Sequence, residues 1–555
     1  MVKIDSFTLE DYINDNVHKA KYSIASSCSL PISLQELQSL SEKSSSPSAN
    51  GDNGPIPNEI FTRDLDYAPA CGSQKLRARL ASLYSVKILT PLSPENVLIT
   101  PGASLANCLI FHGLCNPGDH VICHYPTYQQ LYSQPASLGA DVSLWRTNGE
   151  DNWKLDVEEL KRMIRPETRF IVINNPQNPT GAVIPRSTLE SIIQVAREHS
   201  IIVISDEVYR PLFHSITPAD PEFPPSVMSL GYENVVVSGS MSKAYSMAGI
   251  RVGWLASPNV ELVKKCEKWR AYTVISVGQI DQQIASYALD ECLHKLLKRN
   301  NDLARHNLGL LEGFIEQHRW ACDWVKPVGA SVAFVRFSKM GKPVDDVEFC
   351  ERLLEKEGVL VVPGNLCFGN RDENGNGRDF KGYVRIGFVG ETKTLEGALE
   401  GLRAFIRDGF EDVPVGKLRS SLNLECLITS TSTSTIIITI IIYSNSLRFP
   451  SHRRSIMCQR SKDYGNSNGD IAVPRCACVG SAWAAGFIKK FRHTSNTIVI
   501  MSTWTKLKQI DKIFSHWGSM HRQTRHAQTL NPVAKLASMK FSPDIRAHLN
   551  PEICT

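Results

Sequence analysis

No basic stretch followed by an apolar core marks the start of this 555-residue sequence; Met1 to Leu30 is mixed and charged. A secretory leader is therefore not expected, and the cytoplasmic compartment is the default. The 15 cysteines are scattered, and several (Cys108, Cys115, Cys123, Cys350) sit inside apolar runs, as reduced buried thiols do. Cys476-Ala-Cys478 with His452 lacks the second half of a zinc pattern, so no metal is expected. Cys426 to Tyr443 is the uncharged run that approaches a membrane span, yet nearly half of it is Ser and Thr, and no membrane is expected. Excess positive charge is also missing from most of the chain. From Asp412 onward there are 19 Lys and Arg against 7 Asp and Glu, a net of +12; with +5 overall, residues 1–411 carry −7. No recognisable module accompanies the basic tail, which argues against a nucleic-acid partner.

The apolar and charged fractions are those of a globular protein too long for one simple domain. An amphipathic run, Thr394 to Arg407, reads as a final helix. Residues 412–555 beyond it are read as a low-complexity, basic and disordered tail, β-prone over Thr429–Tyr443, and truncation after about Arg407 should leave the fold intact. Before it we expect an N-terminal segment and linker (1–57, the linker being Ser44–Pro57), a large domain (58–295) and a small domain (296–411).

What the sequence does contain is a series of short apolar strands, each ending in polar residues. Asn234–Ser238 reads as a buried strand that breaks at Gly239. Serines, Lys243 and the turn Gly249-x-Arg251-x-Gly253 follow. An amine and several hydroxyls at a sheet edge suit a Schiff base to an aldehyde cofactor beside a phosphate; a solvated turn lysine is the plain alternative. Strand Asn96–Thr100 runs through Pro101-Gly102-Ala103-Ser104 into an apolar helix, Leu105–Leu114, whose free N–H groups and dipole favour an anion. In Asn175-Pro-Gln-Asn-Pro-Thr-Gly181 two prolines aim the amide of Asn178. Asp206 ends an apolar strand and needs a cationic partner there. Arg385, within the apolar strand Tyr383–Val389, is costly for the opposite reason.

In this order and spacing these stretches resemble the fold-type I pyridoxal-phosphate (PLP) enzymes, specifically the class I/II aminotransferases, over about residues 1–410. The resemblance implies an α/β fold: a large domain with a mostly parallel seven-stranded sheet and a smaller α+β domain. It implies PLP as cofactor, joined to Lys243, which also moves the substrate proton. Asp206 would hold the ring nitrogen protonated, and Tyr209 and Asn178 would bond the ring oxygen, Asn178 alternatively a substrate carboxylate. Tyr128 would stack on the ring. Gly102, Ala103, Ser104, Ser240 and Arg251 would hold the phosphate, with Tyr67 reaching the partner's phosphate across a homodimer with shared active sites. Arg385 would grip the substrate α-carboxylate.

One part is not identified: the family's Gly-containing substrate loop, in whose place stands Ser26-Ser-Cys-Ser-Leu-Pro31. That loop and Phe7-x-Leu9-Glu10 resemble the capreomycidine-synthase-like branch. The expected reaction is transamination between an amino acid and a 2-oxo acid, in specialised metabolism. A PLP lyase (β or γ elimination) or cyclase is the alternative. A catalytically idle regulatory protein is a third reading, against which Lys243, Asp206 and Arg385 together argue. No second basic residue is evident for a dicarboxylate, which favours an aromatic, aliphatic or sulfur-containing substrate.

Overall fold

A computed structural model describes residues 4–42, 59–86, 90–369, 379–408, 410–415, 422–432 and 435–444. The linker Ser44–Pro57 and the Cys476–Cys478 segment lie outside the described residues. The chain forms two compact units, Met1–Lys417 and Leu418–Thr555.

Seven strands build the main sheet of the first unit: β1 (Val97–Thr100), β2 (His120–Tyr125), β3 (Asp141–Arg146), β4 (Thr168–Asn174), β5 (Ile202–Asp206), β6 (Val235–Ser240) and β7 (Gly253–Ala256). Their order is β1-β7-β6-β5-β4-β2-β3. All pairings are parallel except the two that β7 makes, with β1 and β6. The central strands are β-branched and apolar because both faces are covered. Alternate residues feed two separate cores: Val121, Val172, Ile204 and Val236 pack with Leu109 and Val263, while Ile122, Ile171, Val203 and Val235 pack with Leu189 and Ile192. The mostly parallel seven-stranded sheet is thus the one expected.

Strand β6 runs on through Gly239 to Ser240 instead of breaking at the glycine. A side chain at Gly239 would lie 2.5 Å from the Trp254 indole, so the glycine is there for packing across the β6–β7 pair, where it faces Trp254. The chain then turns through Lys243 and a 3-10 turn, Ala248–Ile250, and returns antiparallel as β7, with Ser240 opposite Gly253. That tight return brings Lys243 and Arg251 to one end of the sheet.

The helices that bear on the site are α1 (Thr8–Asn16), α2 (Ala103–Leu114), α3 (Arg186–Glu198), α4 (Leu293–Gln317), α5 (Asp346–Glu357) and α6 (Thr392–Asp408). The sequence reading placed no helix at α1. The smaller sheet comprises β8 (Cys322–Trp324), β9 (Val332–Lys339), β10 (Lys342–Pro343), β11 (Val362–Pro363) and β12 (Tyr383–Gly387), in the order β10-β9-β12-β11 with β8 also on β9, all antiparallel. Tyr22–Ser23 pairs in parallel with Val359–Leu360, tying the N-terminal segment to this part of the chain. Packing continues past Arg407: Phe410 and Val413 are buried, and the Asp345 amide donates to the Pro414 carbonyl at 2.9 Å.

In the second unit the β-prone run lies in an antiparallel hairpin, Leu422–Ser432 with Thr435–Ser444. Residues from 445 onward lie outside the described residues. Among the described residues no helix is long and apolar enough to cross a membrane.

Candidate active site

A cavity of about 370 Å³ opens at the carboxyl ends of β4, β5 and β6. Ala103, Ser104, Tyr128, Asn178, Asp206, Tyr209, Ser240, Lys243, Arg251 and Arg385 all line it. Gly102 stands just behind, as the residue before α2. Of the residues expected at the site, Tyr67 alone is elsewhere: it is 72% exposed and lines no part of its own chain's cavity.

One end of the cavity is built for an anion. The first turn of α2 presents unpaired N–H groups. Facing them, Arg251 donates to Ser242 Oγ (3.3 Å) and the Ala248 carbonyl (3.0 Å), and Ser242 Oγ in turn accepts from Ser240 Oγ at 2.8 Å. Arg251 has left-handed backbone (φ 48°), a cost that the surrounding turn must offset. Gly102, at φ +81°, has a backbone strained for any other residue, and a Cβ there would displace the Arg251 guanidinium.

At the other end Arg385 is fully buried. It donates to Asn178 Oδ1 (3.1 Å) and the Ala25 carbonyl (2.7 Å), while its Nε has no partner. Burial pushes its guanidinium pKa down, which leaves a donor fork in want of an anion. Between the ends, Lys243 Nζ donates to Ser27 Oγ (2.8 Å) and lies 3.4 Å from Cys28 Sγ.

Asp206 is 3% exposed. Its carboxylate accepts from Asn107 Nδ2 and the Val208 N–H, both at 3.1 Å. Burial still pushes its pKa up to about 6, against the lowering by these bonds and by Lys243. Neighbouring Glu207 lies 3.4 Å from Arg210 Nε as an ion pair and accepts from Ser226 Oγ (2.9 Å) and the Val227 N–H (3.2 Å), a structural role. A buried carboxylate with neutral hydrogen-bonding partners fits a protonated ring nitrogen; the α2 terminus with Arg251 fits a phosphate; Lys243 lies among the same lining residues. The residues present therefore fit PLP.

Three lining groups are not assigned to the site by the sequence alone. Asn107, one turn into α2, looked like part of an apolar helix; a lone polar residue in that run was the available signal. Glu10 and Leu9 arrive on α1, and Tyr128 packs its ring 5.1 Å from Phe7 at the head of that helix. Ser27 and Cys28 lie in the loop that stood in place of the expected glycine loop, now in contact with Lys243.

Fold and site together define a PLP-dependent enzyme of fold type I. The family model for aminotransferase class I and II matches residues 54–402. Capreomycidine synthase of Streptomyces vinaceus is 30% identical over 71% of this chain and 92% of its own length. An aspartate aminotransferase of Thermotoga maritima is 28% identical over 62% of this chain and 84% of its own. The crystal structure of a PLP-dependent aminotransferase from Streptococcus suis superposes with a TM-score of 0.64 at 36% identity, covering 73% of this chain and 98% of that one. This chain belongs to the class I and II aminotransferases.

Proposed function

We propose that the chain transfers an amino group from an amino acid with a cationic side-chain end to a 2-oxo acid, in the cytoplasm and in specialised metabolism. The carrying observation is the charge inventory of the cavity. Its lining holds five charged side chains: Glu10, Asp206, Lys243, Arg251 and Arg385. Four are accounted for by the cofactor and the α-carboxylate. The fifth, Glu10, stands with Leu9, Ile13 and Val17 on the N-terminal segment, an apolar wall with one negative charge. A second carboxylate on the substrate would meet repulsion there, whereas an amine or guanidinium would be paired. The sequence alone favours aromatic, aliphatic or sulfur-containing side chains; Glu10 in the cavity lining supports a cationic end instead.

In this reading Arg251, Ser240, Ser242 and the first turn of α2 hold the phosphate, and Asp206 keeps the ring nitrogen protonated. Bound PLP supplies an electron sink for the substrate α-carbon. Arg385 and Asn178 orient the α-carboxylate. Lys243 Nζ takes and returns the α-proton, with Ser27 Oγ and Cys28 Sγ fixing its position. Tyr209 and Tyr128 line the ring's flank and face.

A homodimer completes the picture. Phe61, Leu65 and Tyr67 are 74%, 81% and 72% exposed, and Tyr272 is 87% exposed. Gln279 links the two segments by donating to the Asp64 and Asp66 carbonyls. Such an apolar face, with Tyr67 within it, suits a second copy of the chain.

Steady-state kinetics with lysine, ornithine, arginine and aspartate tests the substrate class. Cationic substrates should be favoured, and Glu10→Gln should lower their kcat/KM by roughly two- to fivefold, the worth of an exposed charge pair. Selective turnover of aspartate would overturn it. The lyase or cyclase alternative is favoured by the likeness to capreomycidine synthase and by the thiol and hydroxyl beside Lys243. Without an oxo acid, a transaminase stops after one turnover with the cofactor aminated; a lyase or cyclase continues.

A further inference from the structure

Helix α1 starts without a cap of its own. The residue before it, Phe7, has no side-chain acceptor and makes no cap bond. A nine-residue helix with its first N–H groups left to water is marginal, and only Leu9 and Tyr12 of this one are buried. Yet α1 brings Leu9, Glu10 and Ile13 into the wall of the active-site cavity. Its first turn therefore has to be held by something outside its own sequence.

The missing cap arrives from 121 residues away. Gln129 Oε1 accepts from the Thr8 N–H, the first of the helix, at 3.1 Å. The other end of the same amide, Nε2, donates to the Ser6 carbonyl at 2.7 Å. A carbonyl can only accept and a backbone N–H can only donate, so both contacts settle the amide in one orientation. Between these two bonds Phe7 lays its ring 5.1 Å from that of Tyr128, the residue next to Gln129.

The clasp has a firm base. Gln129 is 7% exposed and directly precedes the helix Gln130–Ser137. Its own carbonyl accepts from the Ser133 N–H (3.0 Å) and Ser133 Oγ (2.9 Å). The backbone is thus fixed by one helix while the side chain caps another. Tyr128 lines the cavity from the same turn, so a single short stretch serves the site directly and holds the element that forms its opposite wall.

We propose that Gln129 is a positioning residue, which caps α1 in trans and so sets the wall of the cavity that meets the substrate side chain. This rests on the reading of α1 as that wall.

Hydrogen exchange and steady-state kinetics of the holoenzyme test it together. Gln129→Met keeps the length of the side chain and removes both bonds. Amides of residues 9–16 should then exchange roughly five- to tenfold faster, the worth of one helix cap, while those of β4, β5 and β6 keep the parent rates. KM for the amino acid should rise by a similar factor, with kcat and the PLP absorbance band unchanged. Gln129→Glu retains an acceptor for the Thr8 N–H and should recover part of the protection and part of the KM. Unchanged exchange over residues 9–16 in Gln129→Met overturns the proposal. So does a loosening that spreads to the central strands, or faster exchange in α1 with KM unmoved. A selective preference for aspartate in the parent, with the exchange and KM results as expected, overturns the cationic-substrate reading of Glu10 and still supports the cap.

Discussion

Replacing Asp206 by asparagine should move stability and activity in opposite directions. In the cofactor-free chain its pKa rises from 3.8 to about 6. At neutral pH the charged carboxylate therefore costs the folded state roughly 3 kcal/mol relative to the unfolded chain. The sign follows from proton counting: between pH 3.8 and about 6 the folded form keeps a proton that the unfolded chain has lost. Stability of the cofactor-free protein should thus fall as pH rises through that window and then level off. Asn107 Oδ1 is unpaired, so its amide can turn and accept from the new amide. Asp206→Asn should accordingly raise the stability of the cofactor-free protein by up to about 3 kcal/mol at neutral pH and by little near pH 4, measured by urea unfolding. In the holoenzyme the same change breaks a buried charge pair with the ring nitrogen, about 3–4 kcal/mol, so kcat should drop roughly 10²- to 10³-fold. A variant no more stable than the parent at neutral pH, or fully active, would refute the assignment of Asp206 as a carboxylate awaiting a cation.

Other expectations are simpler. Lys243→Ala should abolish the visible band of lysine-bound PLP and reduce turnover by roughly 10³-fold or more, read by absorbance and single-turnover kinetics. Gly102→Ala forces a side chain into positive φ and against Arg251, which should cost about 1–3 kcal/mol in unfolding free energy and weaken PLP by roughly tenfold. Arg385→Lys loses the planar fork and should raise KM for the amino acid by roughly ten- to a hundredfold, with the PLP spectrum unchanged. Truncation after Lys417 should keep the fold and PLP binding, whereas truncation after Arg407 removes buried Phe410 and Val413 and should cost about 3–5 kcal/mol, seen in thermal unfolding.

Sequence alone determined what is local. Apolar, β-branched runs such as Phe170–Asn174 and Ile201–Ser205 specify buried parallel strands, because period and composition act over a few residues. The polar residues at or just beyond the strand ends, Asn178, Asp206 and Lys243, were legible because their types are expensive or reactive there. The order of these motifs was enough to point to the family.

Tertiary structure decided what depends on crossing elements. Asn107 reaches Asp206 across 99 residues, and Arg385 reaches Asn178 across 207, because helix α2 and strand β12 happen to face the same strand ends. Ser27 and Cys28 meet Lys243 from more than 200 residues away, and Glu10, part of the Phe7-x-Leu9-Glu10 resemblance, enters the cavity on a helix that no local pattern placed there. Strand propensity and motif spacing are properties of neighbours along the chain; partners for buried charges are chosen by register and packing, which exist only once the chain has folded.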